Sequence, residues 1–265
     1  MRCRGFTITE LLVATLLLAL LTAGGLTAWV HGRAAWQQSA VEQILSERTQ
    51  YVFATLEPEL QMAGYFGQSP PPAALAVDDI PLAARSCGVA LVQRMDVPVQ
   101  VAPAYELPCA ARGGGAASSS MQLTVRRASA QPAAGAIGRA QWLGSVRAGQ
   151  LVWNDTTSAI TPVDSERRDV LIRVFYVARS ADGDSATPAL RMKSLSSVAG
   201  VPAFVDTEVM PGVEAIQAEL LPSADAPRSL RITLTVRADQ ADLHQQALRR
   251  LTTTRQFTLR NAPAG

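Results

Sequence analysis

Polar and apolar positions follow three different rhythms along this chain. From Leu11 to Val30 run 20 residues without a charged side chain, and at about 1.5 Å of helical rise each they extend about 30 Å, the thickness of a bilayer's hydrocarbon core. Eight of them are leucine and two are valine, which at roughly −0.5 kcal/mol apiece contribute about −5 kcal/mol to insertion. A membrane-spanning helix is predicted there. Beyond it Val41, Ile44, Leu45, Val52, Leu56, Leu60 and Ala63 recur mostly at steps of three and four, with Glu42, Glu47, Arg48 and Glu57 between them, so the helix continues outward with one apolar stripe. Pro58 is expected to kink or end it and Gly64 to cap it. Gly24-Gly25 weakens the apolar part by about 1 kcal/mol per glycine, which marks a place for local unwinding or for close helix packing.

The rhythm then changes to alternation. Ser69-Pro70-Pro71-Pro72 breaks the chain, and Gly113-Gly114-Gly115 with Ser118-Ser119-Ser120 reads as a loop. Met121, Leu123 and Val125 alternate with Gln122, Thr124 and Arg126, as Leu230, Ile232, Leu234 and Val236 do with Arg231, Thr233, Thr235 and Arg237; each pattern predicts a strand with one dry face. Val170 to Val177 is apolar on both faces and predicts a central strand, joined through Asp182-Gly183-Asp184 to a partner near 189–195. Phe257 and Leu259 fit a last edge strand. The expected fold class is α+β: an antiparallel sheet packed on the outer half of the long helix.

Composition narrows the functions open to such a chain. Its 265 residues, 48% hydrophobic, allow one or two domains. Its net charge of +2 includes Arg2 and Arg4, without which 22 Lys and Arg face 22 Asp and Glu. A neutral body has no footprint for a phosphate backbone, which disfavours nucleic-acid binding. Three cysteines and two histidines, His31 and His244, are too few and too scattered for structural zinc. The basic leader before the span, against His31 and Arg33 after it, places the N-terminus inside and the body outside by the positive-inside rule. A secretory signal cut near Ala23-Gly24-Gly25 and a plain anchor both fit these facts. Neither explains Glu10, a carboxylate at the edge of the apolar run whose desolvation costs up to about 3 kcal/mol if drawn to mid-membrane.

Gly5-Phe6-Thr7-Ile8-Thr9-Glu10-Leu11-Leu12-Val13 resembles the processing site of type IV prepilins. The resemblance implies cleavage between Gly5 and Phe6 by the prepilin peptidase, N-methylation of Phe6, and docking of Glu10 against the Phe6 amine of a neighbouring subunit. A buried carboxylate paired with an ammonium fixes register and depth, since either charge alone is costly in a low dielectric. It further implies a leader at 1–5, an N-terminal helix at 6–64 with 11–30 in the membrane, and an extracytoplasmic headpiece at 65–265. Later stretches, Leu56 to Gly67, Phe175-Tyr176-Val177, Val209 to Ile216 and Ser229 to Arg237, are similar to minor pilins of the PilW family. That family implies a subunit that helps initiate type IV pilus assembly, is incorporated at or near the tip and serves twitching motility. It would sit in the inner membrane, single-pass, with its N-terminus cytoplasmic and its headpiece periplasmic, and then in the fibre. Implied partners are other minor pilins, the major pilin, the assembly platform, the prepilin peptidase and a tip adhesin. A minor pseudopilin of type II secretion and a pilus-displayed adhesive or ligand-binding module are the alternatives.

Cys3 would leave with the leader, so the mature chain keeps Cys87 and Cys109, an even pair in an oxidising compartment. A disulfide between them would be worth about 3 kcal/mol; two buried thiols, or one thiol bonded to another protein, are the other readings. Asp182-Gly183-Asp184 lacks the oxygens of a calcium site and reads as a hairpin turn. Asp155, Asp164, Glu166 and Asp169 read as a solvated loop, His244 as a surface histidine, and Trp29 and Trp36 as an interfacial belt. No catalytic residue, metal site or cofactor is expected, and the reading is non-enzymatic.

Overall fold

A computed structural model describes residues 8–112, 115–153, 164–180, 187–224, 226–241 and 248–261. The chain divides between Ser46 and Glu47 into two compact units. Helix α1, Ile8–Gln61, begins in the first and ends in the second. It is unbroken at Gly24-Gly25, and Pro58 does not end it: proline removes one donor, but Met62 N still bonds Pro58 O at 3.2 Å and the turn closes. The chain reverses at Gly64, whose φ of +77° suits glycine and whose missing Cβ would meet Asn261 O at 2.6 Å.

The second unit holds two antiparallel sheets, where the alternation had predicted one. The larger comprises β1 (Val99–Ala102), β2 (Gln122–Ala128), β3 (Ala140–Gly144), β4 (Gly149–Trp153), β5 (Glu166–Arg179), β6 (Pro188–Val198) and β7 (Val201–Pro211). The apolar run at Val170 to Val177 lies in β5, which pairs β2 along one side. Along the other it pairs β3 over 166–169 and β6 over 173–179. Gly212, at φ +79°, turns the chain out of this sheet, its N–H bonding Pro188 O at 2.7 Å. A three-stranded sheet follows: β8 (Val213–Leu221), β9 (Ser229–Ala241) and β10 (Leu248–Thr258), in the order β10-β9-β8.

Three layers result. Val52, Phe53, Leu56 and Leu60 on α1 are fully buried, and Phe53 meets Phe257 of β10 with ring centroids 6.0 Å apart. The segment 75–95, with its short helix α2 (Val89–Gln93), covers the opposite face of the larger sheet through Ile80, Ala84, Val92 and Met95 packed on Ile172. The two alternating strands therefore differ. β9 has a dry and a wet face as its pattern predicts, whereas all seven residues of β2 are buried, because residues 91–97 and Glu106 close over its polar side, meeting Arg126 and Gln122. The architecture is α+β and type IV pilin-like, a long N-terminal apolar helix followed by antiparallel sheet.

Candidate functional site

Glu10 lies in the first turn of α1, where a carboxylate is favoured by the positive end of the helix dipole. That turn opens the one helix among the described residues that is long and apolar enough to cross a membrane, with a mean hydropathy of 2.2 over 18 residues, none of them buried. Its hydroxyls do not interrupt the apolar surface. Thr15 donates to Leu12 O at 3.0 Å, Thr22 to Leu18 O at 2.9 Å, and Thr27 to Gly24 O at 2.8 Å, so each is satisfied within its own helix, as hydrocarbon surroundings require. A Cβ at Gly24 or Gly25 would meet nothing within 4 Å, leaving that surface bare. Trp29 and Trp36 are exposed, and the Arg33 guanidinium lies 5.5 Å from the Trp29 ring centre, an arrangement suited to an interface.

In the second unit the last turn of α1 carries a carboxylate that periodicity alone does not single out. Glu59 falls three residues after Leu56 and one before Leu60, on the buried stripe, and its side chain is 5% exposed. Arg127 grips it with two bonds, Nε to Oε2 at 2.9 Å and Nη2 to Oε1 at 2.8 Å, and Arg173 donates to Oε1 as well. With Val125 opposite Arg173 across β2 and β5, strand alternation puts Arg127 and Arg173 on one face. This clamp fixes the helix against the sheet. A charged residue inside an apolar stripe was the available signal.

On the other face Cys87 and Cys109 form a disulfide with their Cα atoms 4.5 Å apart, packed with Leu91 on Val174. Tyr105 donates to Cys109 O at 2.6 Å, and its ring meets that of Tyr176 at a tilt of 48° with centroids 4.7 Å apart. Tyr176 in turn donates to Asp206, which also receives Lys193 Nζ and Arg191 Nε, each at 2.8 Å, while Arg191 Nη1 reaches Glu208 at 3.0 Å. Burial raises the Tyr176 phenol, and the bond to Asp206 raises it further. Burial works to raise Asp206 too, but the donors from Lys193, Tyr176 and Arg191 outweigh it and hold the carboxyl below its ordinary value. Arg126 is fully buried, and among the described residues its donors reach uncharged acceptors, Leu91 O, Val97 O and Gln100 Oε1, at 2.8, 3.0 and 3.0 Å. Burial, reinforced by Arg94 and opposed by Asp96, pushes it down to about 10, so it stays charged at neutral pH.

Of the four acidic residues expected in a solvated loop, Asp164 is exposed in a turn, but Glu166 and Asp169 are structural instead. Glu166 and Asp169 belong to β5: Glu166 accepts from Arg168 at 2.7 Å and from Gln68 N at 2.7 Å, and Asp169 from Arg139 at 2.6 Å and Gln141 at 2.7 Å. The Arg168 bond holds Glu166 below its ordinary value against the pull of burial. Asp164 sits just before β5 at φ +64°. Gly5, Phe6, Asp155, Asp182-Gly183-Asp184 and His244 lie outside the described residues. Among the described residues no cluster of three or more His, Cys, Asp or Glu could hold a metal ion.

Residues 1–26 match the family model described as the prokaryotic N-terminal methylation motif. The N-terminus is type IV prepilin-like. The motif indicates a structural subunit, membrane-anchored and associated with pili, that interacts with pilin subunits and their assembly machinery in general. No curated protein and no solved structure matches the chain.

Proposed function

We propose that the chain is a minor pilin of the PilW kind, a non-enzymatic subunit that helps initiate type IV pilus assembly and is incorporated at or near the tip. The methylation motif at residues 1–26, leading into an exposed apolar helix, carries this reading. In it the leader 1–5 is cut on the cytoplasmic side, Phe6 is methylated, and the helix 6–64 stays for life, with 11–30 in the inner membrane until the subunit joins the fibre. Glu10 docks on the Phe6 amine of a neighbour, and the headpiece 65–265 stands in the periplasm against other minor pilins. The size of that headpiece favours low copy number over bulk repetition in a narrow fibre.

Mass spectrometry of the N-terminal peptide from the membrane fraction is the test. A peptide beginning with N-methylated Phe6 is expected; one beginning at Met1, or near residue 26, overturns the reading. Glu10→Ala is expected to be processed but not incorporated, and normal piliation in that variant removes the docking role. Deletion that abolishes protein export while sparing twitching assigns the chain to type II secretion instead.

A further inference from the structure

The three-stranded sheet ends on β10, which β9 bonds along one side and no described strand bonds along the other. Two anchors fix which way its backbone points. Leu259 N donates to Arg228 O at 2.9 Å and Arg237 N to Gly212 O at 2.8 Å. The first turns odd-numbered β10 positions toward β9. The second turns odd-numbered β9 positions toward β8, leaving the even ones for β10, in agreement with Phe257 opposite Leu230 and Leu251 opposite Val236. The register shifts only between Leu248 and Arg250, so the N–H and C=O groups of Thr252, Thr254, Gln256 and Thr258 all face outward.

Proteins ordinarily blunt such an edge by shortness, proline, a bulge or cover. The larger sheet follows that rule: its edge strands β1 and β4 have 4 and 5 residues, and β7 carries Pro202 and Pro211. β10 has 11 residues and no proline. Between 248 and 261 the sequence holds Arg249, Arg250, Arg255 and Arg260 and no Asp or Glu. Cations on an edge are themselves a guard, yet two of these are drawn aside. Arg250 binds both oxygens of Glu214 at 2.6 and 3.0 Å on one face, and Arg255 lies over the Phe53 ring at 5.0 Å on the other. The backbone row is left open within a positive surround.

We propose that β10 is a strand-addition edge that receives an acidic, extended segment of another protein. The segment's main chain would answer the outward N–H and C=O row, and its carboxylates would meet the exposed Arg260 and Arg255, whose charge the Phe53 ring does not neutralise. A second copy of β10 fits worse, because it would bring the same arginines and no carboxylate to answer them. On the wet face the added side chains would extend the hydroxyl rows formed by Thr233 with Thr254 and Thr235 with Thr252, at 2.9 and 3.2 Å. The assignment does not depend on the pilus reading.

Proline decides it, because at an outward position proline deletes a donor that β9 does not use. The full chain in detergent micelles is titrated, by fluorescence anisotropy, with a labelled peptide of alternating valine and glutamate matched to the length of β10, and with the same peptide carrying lysine for glutamate. The acidic peptide is expected to bind and the lysine peptide not. Thr254→Pro should weaken binding at least roughly tenfold, the equivalent of one lost hydrogen bond, while Thr254→Val, which keeps the donor, should not. Should Thr254→Pro fail to melt cooperatively, Gln256→Pro takes its place. No binding of the acidic peptide, equal binding of both peptides, or indifference to the proline overturns the proposal. So does self-association of the chain that the proline abolishes, which would give the edge to a second copy.

Discussion

The stretch of α1 before Ser46 and the unit after it use the same apolar side chains to opposite ends. Leu16, Leu17 and Leu18 stand more than half exposed, whereas Val52, Leu56 and Leu60, about nine turns on in the same helix, are fully buried. What separates them is the placing of charge. The first stretch has no charged side chain between Leu11 and Val30 and folds its threonine hydroxyls back on its own carbonyls. The second draws charges inside and answers each: Glu59 with Arg127 and Arg173, Asp206 with Lys193 and Arg191, and Arg126 with carbonyls. An apolar surface without internal charge is built to meet other apolar matter. One threaded with paired ions is built to close on itself.

The largest break in this contrast is expected from Glu59→Ala, which leaves Arg127 and Arg173 unmatched in the core; loss of one partner of a buried pair costs about 4 kcal/mol, read as a fall in the midpoint of denaturant unfolding. Next comes Leu17→Arg. It should cost the apolar span about 3.5 kcal/mol of insertion, releasing the chain on carbonate extraction of membranes while leaving unfolding of the second unit unchanged. Replacing Cys87 and Cys109 together by serine is expected to lower stability by about 3 kcal/mol through the freed loop of 22 residues, seen as a drop in Tm that matches wild type under reductant. The smallest effect concerns acid. Because Asp206 is held below its ordinary value of 3.8, its stabilisation is complete above that value and drains away as pH falls through the lower, folded one. Tm of the wild type should therefore fall more steeply than that of Asp206→Asn below about pH 4.

Local pattern carried β9 and β5 well, since one dry face and two dry faces both write themselves into spacing. It misled at β2, whose alternation is as clean as that of β9. Only long-range contacts distinguish them: the carbonyls of Leu91 and Val97 that receive Arg126 lie 35 and 29 residues away. The partners of Glu59 were hidden for the same reason, because they sit 68 and 114 residues downstream. Pro58 looked like a stop because a missing donor is visible in sequence, while the packing of Leu56 and Leu60 that carries the helix past it is not. The split into two sheets hangs on Gly212, in a Pro211-Gly212 pair that marks a turn without saying that the next strand joins a different sheet.

The self-contained threonines have a bearing on travel. A rod that settles the hydroxyls of Thr15, Thr22 and Thr27 internally asks nothing of its solvent for them, so exchanging lipid tails for the flanks of other rods would leave that bonding untouched. Only the tightness of side-by-side contact would be at stake in such a move, and at Gly24-Gly25 a neighbouring backbone could come closest.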